Sequence, residues 1–296
     1  MGAPIAQRLL GRGHELAVHS RTRAKAEPLI AAGAVWAESP KAVGRAARGG
    51  VVFMCLTDGP AVRSVLFGRQ GVVAGAGPGT LVVDLSTVLP EESRTWAERL
   101  ERRGVHFLDV PLGGSVDAAA TGQLLLYAGG SETDLGRVRP LLEAFARRVE
   151  LLGPVGAGTS MKLVNNLVSL ATIAISSEAL ALAEGLGLDR SRAIDLLLDG
   201  GGRSAMLERK RTFFEERRYP SQFRLPLARK DLALVERTAR AVGSPCRLAR
   251  EARRLTEEAV AAGHEAEDAA AMFEAALARG HPSSAASRAN GVTARP

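Results

Sequence analysis

Short runs of branched apolar residues alternate with stretches of helical periodicity through the first half of the chain. Residues 16–20, 51–56, 81–85, 105–109, 124–128 and 149–152 have the composition of strands. Residues 23–32, 60–67, 91–103 and 132–147 carry helical spacing, with Gly33 and Gly104 as stops for two of them. Strands that are apolar on both faces need cover on both faces. Their alternation with helices therefore predicts an α/β domain with a doubly wound parallel sheet over residues 1–154.

The pattern changes after Gly153 and Pro154. No strand signal follows, and helical periodicity continues to about Gly280, which predicts an all-α domain over 155–280. Its first helix, 160–185, is apolar nearly all round and is expected to be a long interdomain helix, buried on most sides. Stops at Gly187, Gly200 to Gly202, Pro220, Gly243 to Pro245 and Gly263 divide the rest into five or six helices. Residues 281–296, rich in Ser, Ala, Arg and Gly, read as a disordered tail.

Charge adds a second layer. The formal net charge is +7, and only five of the 39 basic residues are lysines: Lys25, Lys41, Lys162, Lys210 and Lys230. The arginines are spread along the chain and aromatics are 4%, so a nucleic-acid partner is not expected. Cys55 and Cys246 are too few for a disulfide scaffold, which suggests a reducing, cytoplasmic location. The most apolar run, 163–177, is shorter than the roughly 20 residues of a membrane span and carries Asn165 and Asn166. No metal-ligand spacing is present, and no secretory leader is read at the start.

A dinucleotide-binding domain opens with a strand, a G-x-G-x-x-G turn and a helix. Here Met1-Gly2 leads directly into apparent helix, as though the first strand and first two glycines were absent. Five segments then occur in order: Met1-Gly2 with Gly13-His14 and Ser20-Arg21-Thr22; Asp84-Leu85-Ser86-Thr87 with Pro90; Asp109-Val110-Pro111-Leu112-Gly113-Gly114 with Gly122-Gln123-Leu124; Gly156-Ala157-Gly158 with Lys162 to Asn166; and Lys230-Asp231-Leu232. Together they resemble the β-hydroxyacid dehydrogenase family, which includes 3-hydroxyisobutyrate dehydrogenase and the semialdehyde reductases. The resemblance implies a Rossmann-type domain, a nicotinamide cofactor and hydride transfer on a hydroxyacid or semialdehyde. A small-molecule substrate follows from the same resemblance, while the apolar circumference of the 160–185 helix, more than one small helical domain easily covers, leads us to expect a homodimer or homotetramer.

Lys162 and Asn166 are four residues apart and share one face of a helix. A lysine entering an apolar stretch has its pKa lowered towards the working pH, as a general acid/base requires and an arginine could not provide. The bland alternative is a snorkelling lysine with polar bystanders. The resemblance assigns Lys162 the proton transfer and Asn166 the substrate hydrogen bonds. Gly113 and Gly114 offer unobstructed amides for a substrate carboxylate, and Lys230 would reach cofactor or substrate; alternatively they are an ordinary turn and a solvated charge. The family has a serine before the paired glycines where this chain has Leu112, which favours a larger or less polar carbonyl compound. Retention of Lys162 favours alcohol–carbonyl over imine chemistry.

NAD selectivity needs a carboxylate at the end of the second strand. His19-Ser20-Arg21-Thr22 has none, and Ser20, Arg21 and Thr22 could hold a 2′-phosphate, so NADP(H) is expected over NAD(H). The resemblance places Gly2, Leu56, Thr57, Ala61 and Lys230 at the cofactor, with Thr87 near its nicotinamide. A non-catalytic dinucleotide-binding protein of the same fold is the competing reading.

Overall fold

The computed structural model describes residues 1–280; the tail read at 281–296 lies outside them. The described residues form two compact units, one of residues 1–165 and one beginning at Asn166.

The first unit runs α1 (Gly2–Leu10), β1 (Ala17–Val18), α2 (Glu27–Ala31), β2 (Val35–Trp36), α3 (Pro40–Ala46), β3 (Val51–Met54), α4 (Gly59–Phe67), β4 (Leu81–Asp84), α5 (Pro90–Glu101), β5 (His106–Asp109), β6 (Leu112–Gly113), α6 (Val116–Thr121), β7 (Leu124–Ala128), α7 (Glu132–Leu142) and β8 (Ala146–Leu151). Local chemistry sets many of the boundaries. Ser39, Asp58, Ser115 and Ser131 cap α3, α4, α6 and α7 by accepting a first-turn amide, and proline stands in the first turn of α3, α4 and α5. Gly122 ends α6 at φ 73°, a left-handed conformation in which a side chain would be strained.

β3, β4 and β5 form a parallel ladder with Met54, Asp84 and Asp109 in register at its end. β1 pairs with β2, also in parallel. Among the described residues no ladder joins these two sheets. Alternate residues of β4 serve opposite cores: Leu81 and Val83 pack with Ile5, Leu108, Leu126 and Phe145, while Val82 packs with Val52, Val62, Trp96 and Leu100. The doubly wound α/β architecture is thus present.

The structure corrects several local expectations. β6 runs antiparallel to β7, because the chain doubles back after Pro111 to lay Leu112 and Gly113 against Leu126 and Leu125. α7 stops at Leu142 rather than 147, since from Ala146 the backbone pairs in parallel with β7. Tertiary pairing there outweighs the helical appearance of the sequence. β2 and α3 lie in a stretch without a clear hydrophobic period, and β1 is only two residues long.

α8 (Ala157–Gly185) begins in the first unit and continues into the second, which adds α9 (Arg190–Asp199), α10 (Ala205–Glu216), α11 (Leu225–Ala241), α12 (Arg247–Ala259) and α13 (Met272–Gly280). By length and hydropathy alone α8 could cross a membrane, but Asn166, Ser176 and Ser177 are buried along it, as befits a helix packed in protein. It is not buried on most sides as expected: Val164, Val168, Ile175 and Leu182 are exposed. The core of the second unit includes Phe214 edge-on to Phe273 and a buried ion pair, Lys210 Nζ to Asp268 at 2.9 Å.

Candidate active site

Parallel strands deliver their carboxyl ends to one edge, where open α/β sheets bind ligands. In the β3–β4–β5 ladder that edge carries Leu56 and Thr57 after β3, Ser86 and Thr87 after β4, and Asp109 at the end of β5. The edge is tied together by polar contacts. The amide of Leu56 donates to Ser86 Oγ (2.9 Å), and that of Ser86 to Asp84 Oδ1 (3.0 Å). Ala61 donates its amide to Asp58 in the first turn of α4 (2.9 Å). Gly2, the first residue of α1, comes to the same edge beside Cys55, whose thiol pKa is raised by burial against the opposing pull of the terminal amine and the Gly2 amide.

α8 starts on this edge. Asp109 is buried, and its carboxylate accepts from the Gly156 amide (2.8 Å), the Thr159 amide (2.7 Å) and Thr159 Oγ1 (2.9 Å). Burial raises the Asp109 pKa to about 6, against the lowering effect of these hydrogen bonds. Lys162, half-buried, follows Thr159 by three residues. Asn165, three further on, accepts from the Tyr127 hydroxyl at 3.2 Å. The same phenol crowds Gly113, where a β-carbon would lie 2.9 Å from its oxygen. Leu112 is packed in the core rather than at the surface, while Gly114 is exposed at φ 134°.

In the second unit Asn166 donates its side-chain amide to Asp231 Oδ2 at 2.6 Å, and Lys230 Nζ lies 2.8 Å from Asp231 Oδ1. Asn166 and Asp231 are 4% and 2% exposed. Giving its NH2 to Asp231 fixes the orientation of the Asn166 amide, so its carbonyl oxygen faces the other way as an acceptor. Asp231 is thus no solvated partner of a surface lysine but a buried carboxylate serving two neighbours.

A nicotinamide dinucleotide fits the residues at the end of β1. Arg21 and Thr22 are exposed there and Ser20 is half-buried. The carboxylates of Glu27 and Glu38, on the downstream side, are both engaged by Arg23. That leaves a basic, hydroxyl-bearing end able to accept phosphate.

Residues 1–153 match the family profile described as the NAD binding domain of 6-phosphogluconate dehydrogenase. Residues 156–276 match that described as the NAD-binding of NADP-dependent 3-hydroxyisobutyrate dehydrogenase. The chain belongs to the β-hydroxyacid dehydrogenase family. It is 32% identical over 278 residues to a 3-sulfolactaldehyde reductase of Escherichia coli, covering 93% of this chain and 92% of the relative. Among solved structures it is similar to a 3-hydroxyisobutyrate dehydrogenase of Salmonella typhimurium (29% identity, TM-score 0.82, covering 92% and 95% of the two chains). It is also similar to Psf3 in complex with NADP+ and 2-OPP (30% identity, TM-score 0.84, covering 93% and 96%). As a member of this family the chain is an NAD(P)-dependent oxidoreductase of the hydroxyacid and semialdehyde type.

The structure thus gathers Gly2, Leu56, Thr57, Ala61 and Thr87 at one sheet edge, with Lys162 on the helix that starts there. Asn166 and Lys230 meet through Asp231. Ser20, Arg21 and Thr22 stand on the separate β1–β2 ladder. Sequence reasoning gave no role to Asp109, Thr159 or Tyr127; their importance lies in contacts across 50 and 38 residues, which no local period reveals.

Proposed function

We propose that the enzyme is an NADP(H)-dependent reductase of semialdehyde-type substrates in which Lys162 is the general acid/base. The observation that carries this reading is the placement of a half-buried Lys162 just past the first turn of α8, which rises from the carboxyl edge of the β3–β4–β5 sheet. A bound nicotinamide supplies or takes the hydride. Lys162 gives the carbonyl oxygen its proton on reduction and removes the alcohol proton on oxidation. Asn166, one turn further along α8, offers its carbonyl oxygen to a substrate hydroxyl, held so by Asp231. The exposed amide of Gly114 receives a substrate carboxylate, whereas Gly113, expected to share that role, is buried in the β6–β7 pair. Leu112 in the core brings no hydroxyl to the substrate, which favours a less polar carbonyl compound than a small hydroxyacid.

Ser20, Arg21 and Thr22 hold the 2′-phosphate in this reading, while Leu56, Thr57, Ala61 and Thr87 line the adenosine, ribose and nicotinamide. Lys230 holds its charge beside Asp231 for cofactor or substrate. The exposed stripe of α8 favours a homo-oligomer. At 100° per residue, Val164, Val168, Ile175 and Leu182 fall within about 40° of one another along roughly 27 Å of helix. Such a stripe is self-complementary under a two-fold axis, so its occupant is a second copy of this chain.

A panel of short aldehydes, semialdehydes and hydroxyacids, assayed with NADPH, NADH and their oxidised forms, tests the reading. NADPH oxidation with semialdehydes is expected to be strongest. Cofactor binding without turnover of any member would favour the non-catalytic alternative, and a preference for NADH would overturn the assignment of Arg21.

A further inference from the structure

Lys162 stands on α8, and the first turn of any helix has amides with no intrahelical partner. The way those amides are satisfied decides where the helix begins and hence where Lys162 is aimed. A neighbouring side chain usually does this from the position just before the helix. In α8 that position is Gly156, which has no side chain to offer.

The partner comes from 50 residues away. Both oxygens of Asp109 are committed to this turn, Oδ1 to the amide of Gly156 and Oδ2 to the amide and hydroxyl of Thr159. The Thr159 hydroxyl has one proton, which goes to Asp109, so the 3.2 Å contact with Ser93 Oγ on α5 is a bond that Ser93 donates. The turn also lies against the strands themselves: a β-carbon at Gly158 would overlap the carbonyl oxygens of Tyr127 and Asp109, and one at Gly129 would overlap the Asp109 carboxylate. Asp109 is in register with Asp84 and Met54, after which come Ser86, Thr87, Leu56 and Thr57. One carboxylate therefore locks the start of the lysine-bearing helix to the edge proposed for the nicotinamide.

We propose that Asp109 is a positioning residue for the reaction, fixing the register of the first turn of α8 and through it the placement of Lys162. The proposal rests on the reading of Lys162 as the general acid/base. Asparagine cannot replace the aspartate, because one of the two backbone amides would then face an NH2 group. A misplacement of about 1 Å at a reacting group can cost on the order of 100-fold in rate.

The test is a double-mutant cycle on the full chain, with kcat, substrate KM and NADPH dissociation constant measured for Asp109→Asn, Lys162→Ala and the pair. Asp109→Asn is expected to lower kcat about 10- to 100-fold while the NADPH dissociation constant stays within about twofold. In the Lys162→Ala background it should cost nothing further, because the group it positions is gone. Thr159→Val, which removes only the hydroxyl contact, should lower the same parameter about 2- to 10-fold and serves if Asp109→Asn does not fold. Unchanged kcat in Asp109→Asn, or in Thr159→Val if that is the variant available, overturns the proposal, as does a loss equally large in both backgrounds. If Lys162→Ala itself retains full turnover, the underlying reading of Lys162 fails instead.

Discussion

Burying Asp109 has a cost that depends on pH, and its size follows from the structure. Burial raises the carboxyl from an ordinary 3.8 to about 6, the hydrogen bonds from Gly156 and Thr159 offsetting only part of the effect. Below pH 3.8 the group is protonated in both the folded and unfolded chain and the two states bind equal numbers of protons. Between 3.8 and about 6 the folded state holds the proton more tightly, so stability falls as pH rises through this window. The difference amounts to roughly 3 kcal/mol, nearly all of it incurred by pH 7. Asparagine does not titrate. Urea unfolding of wild type and Asp109→Asn, compared at each pH from about 4 to 8, therefore isolates this one group. The wild type is expected to lose about 2 kcal/mol relative to the variant between pH 4 and pH 7. A flat difference, or one moving in favour of the wild type, would refute the reasoning and show that the amides of the α8 turn outweigh burial.

Three further outcomes follow from other parts of the molecule. Asp268→Ala removes the carboxylate beside Lys210, whose side chain is 5% exposed, and the acceptor of the Gln222, Phe223 and Ala270 amides, so urea unfolding should show a loss of about 3–5 kcal/mol; a loss below about 1 kcal/mol would mean that water reaches these groups. Arg21→Ala should weaken NADPH binding about 10- to 100-fold by titration and leave NADH binding nearly unchanged, whereas equal effects on both would remove Arg21 from the 2′-phosphate. Glutamate at Val168 and Ile175 together should convert the proposed homo-oligomer to monomer in sedimentation velocity, and an unaltered assembly would place the interface elsewhere.

The parts of the fold that were legible beforehand are those whose chemistry is local. The apolar runs at β3, β4 and β5 announce strands buried on both faces, and Gly104 marks a helix end a few residues away in the sequence. β8 was partly hidden because Arg147 and Arg148 look helical after α7, and only the pairing with β7 makes them strand. α8 showed its apolar character plainly, yet its sequence could not tell residues facing the fold from Val168, Ile175 and Leu182, which face outward. The same holds at the candidate site. Lys162 and Asn166 are visible because four residues on a helix is a spacing. Asp109 sat inside a quoted motif without a role, since its partners Gly156 and Thr159 are distant in sequence. The burial of Asp231 beside Asn166 depends on how α8 and α11 pack, which no spacing in the sequence shows.

Proton transfer by Lys162 is the centre of the functional reading, and single-turnover oxidation of NADPH with succinic semialdehyde, or another substrate found in the panel, measures it directly. Lys162→Ala is expected to slow that step by about 10²- to 10⁴-fold, with the NADPH dissociation constant unchanged. Turnover undiminished in Lys162→Ala would contradict the account.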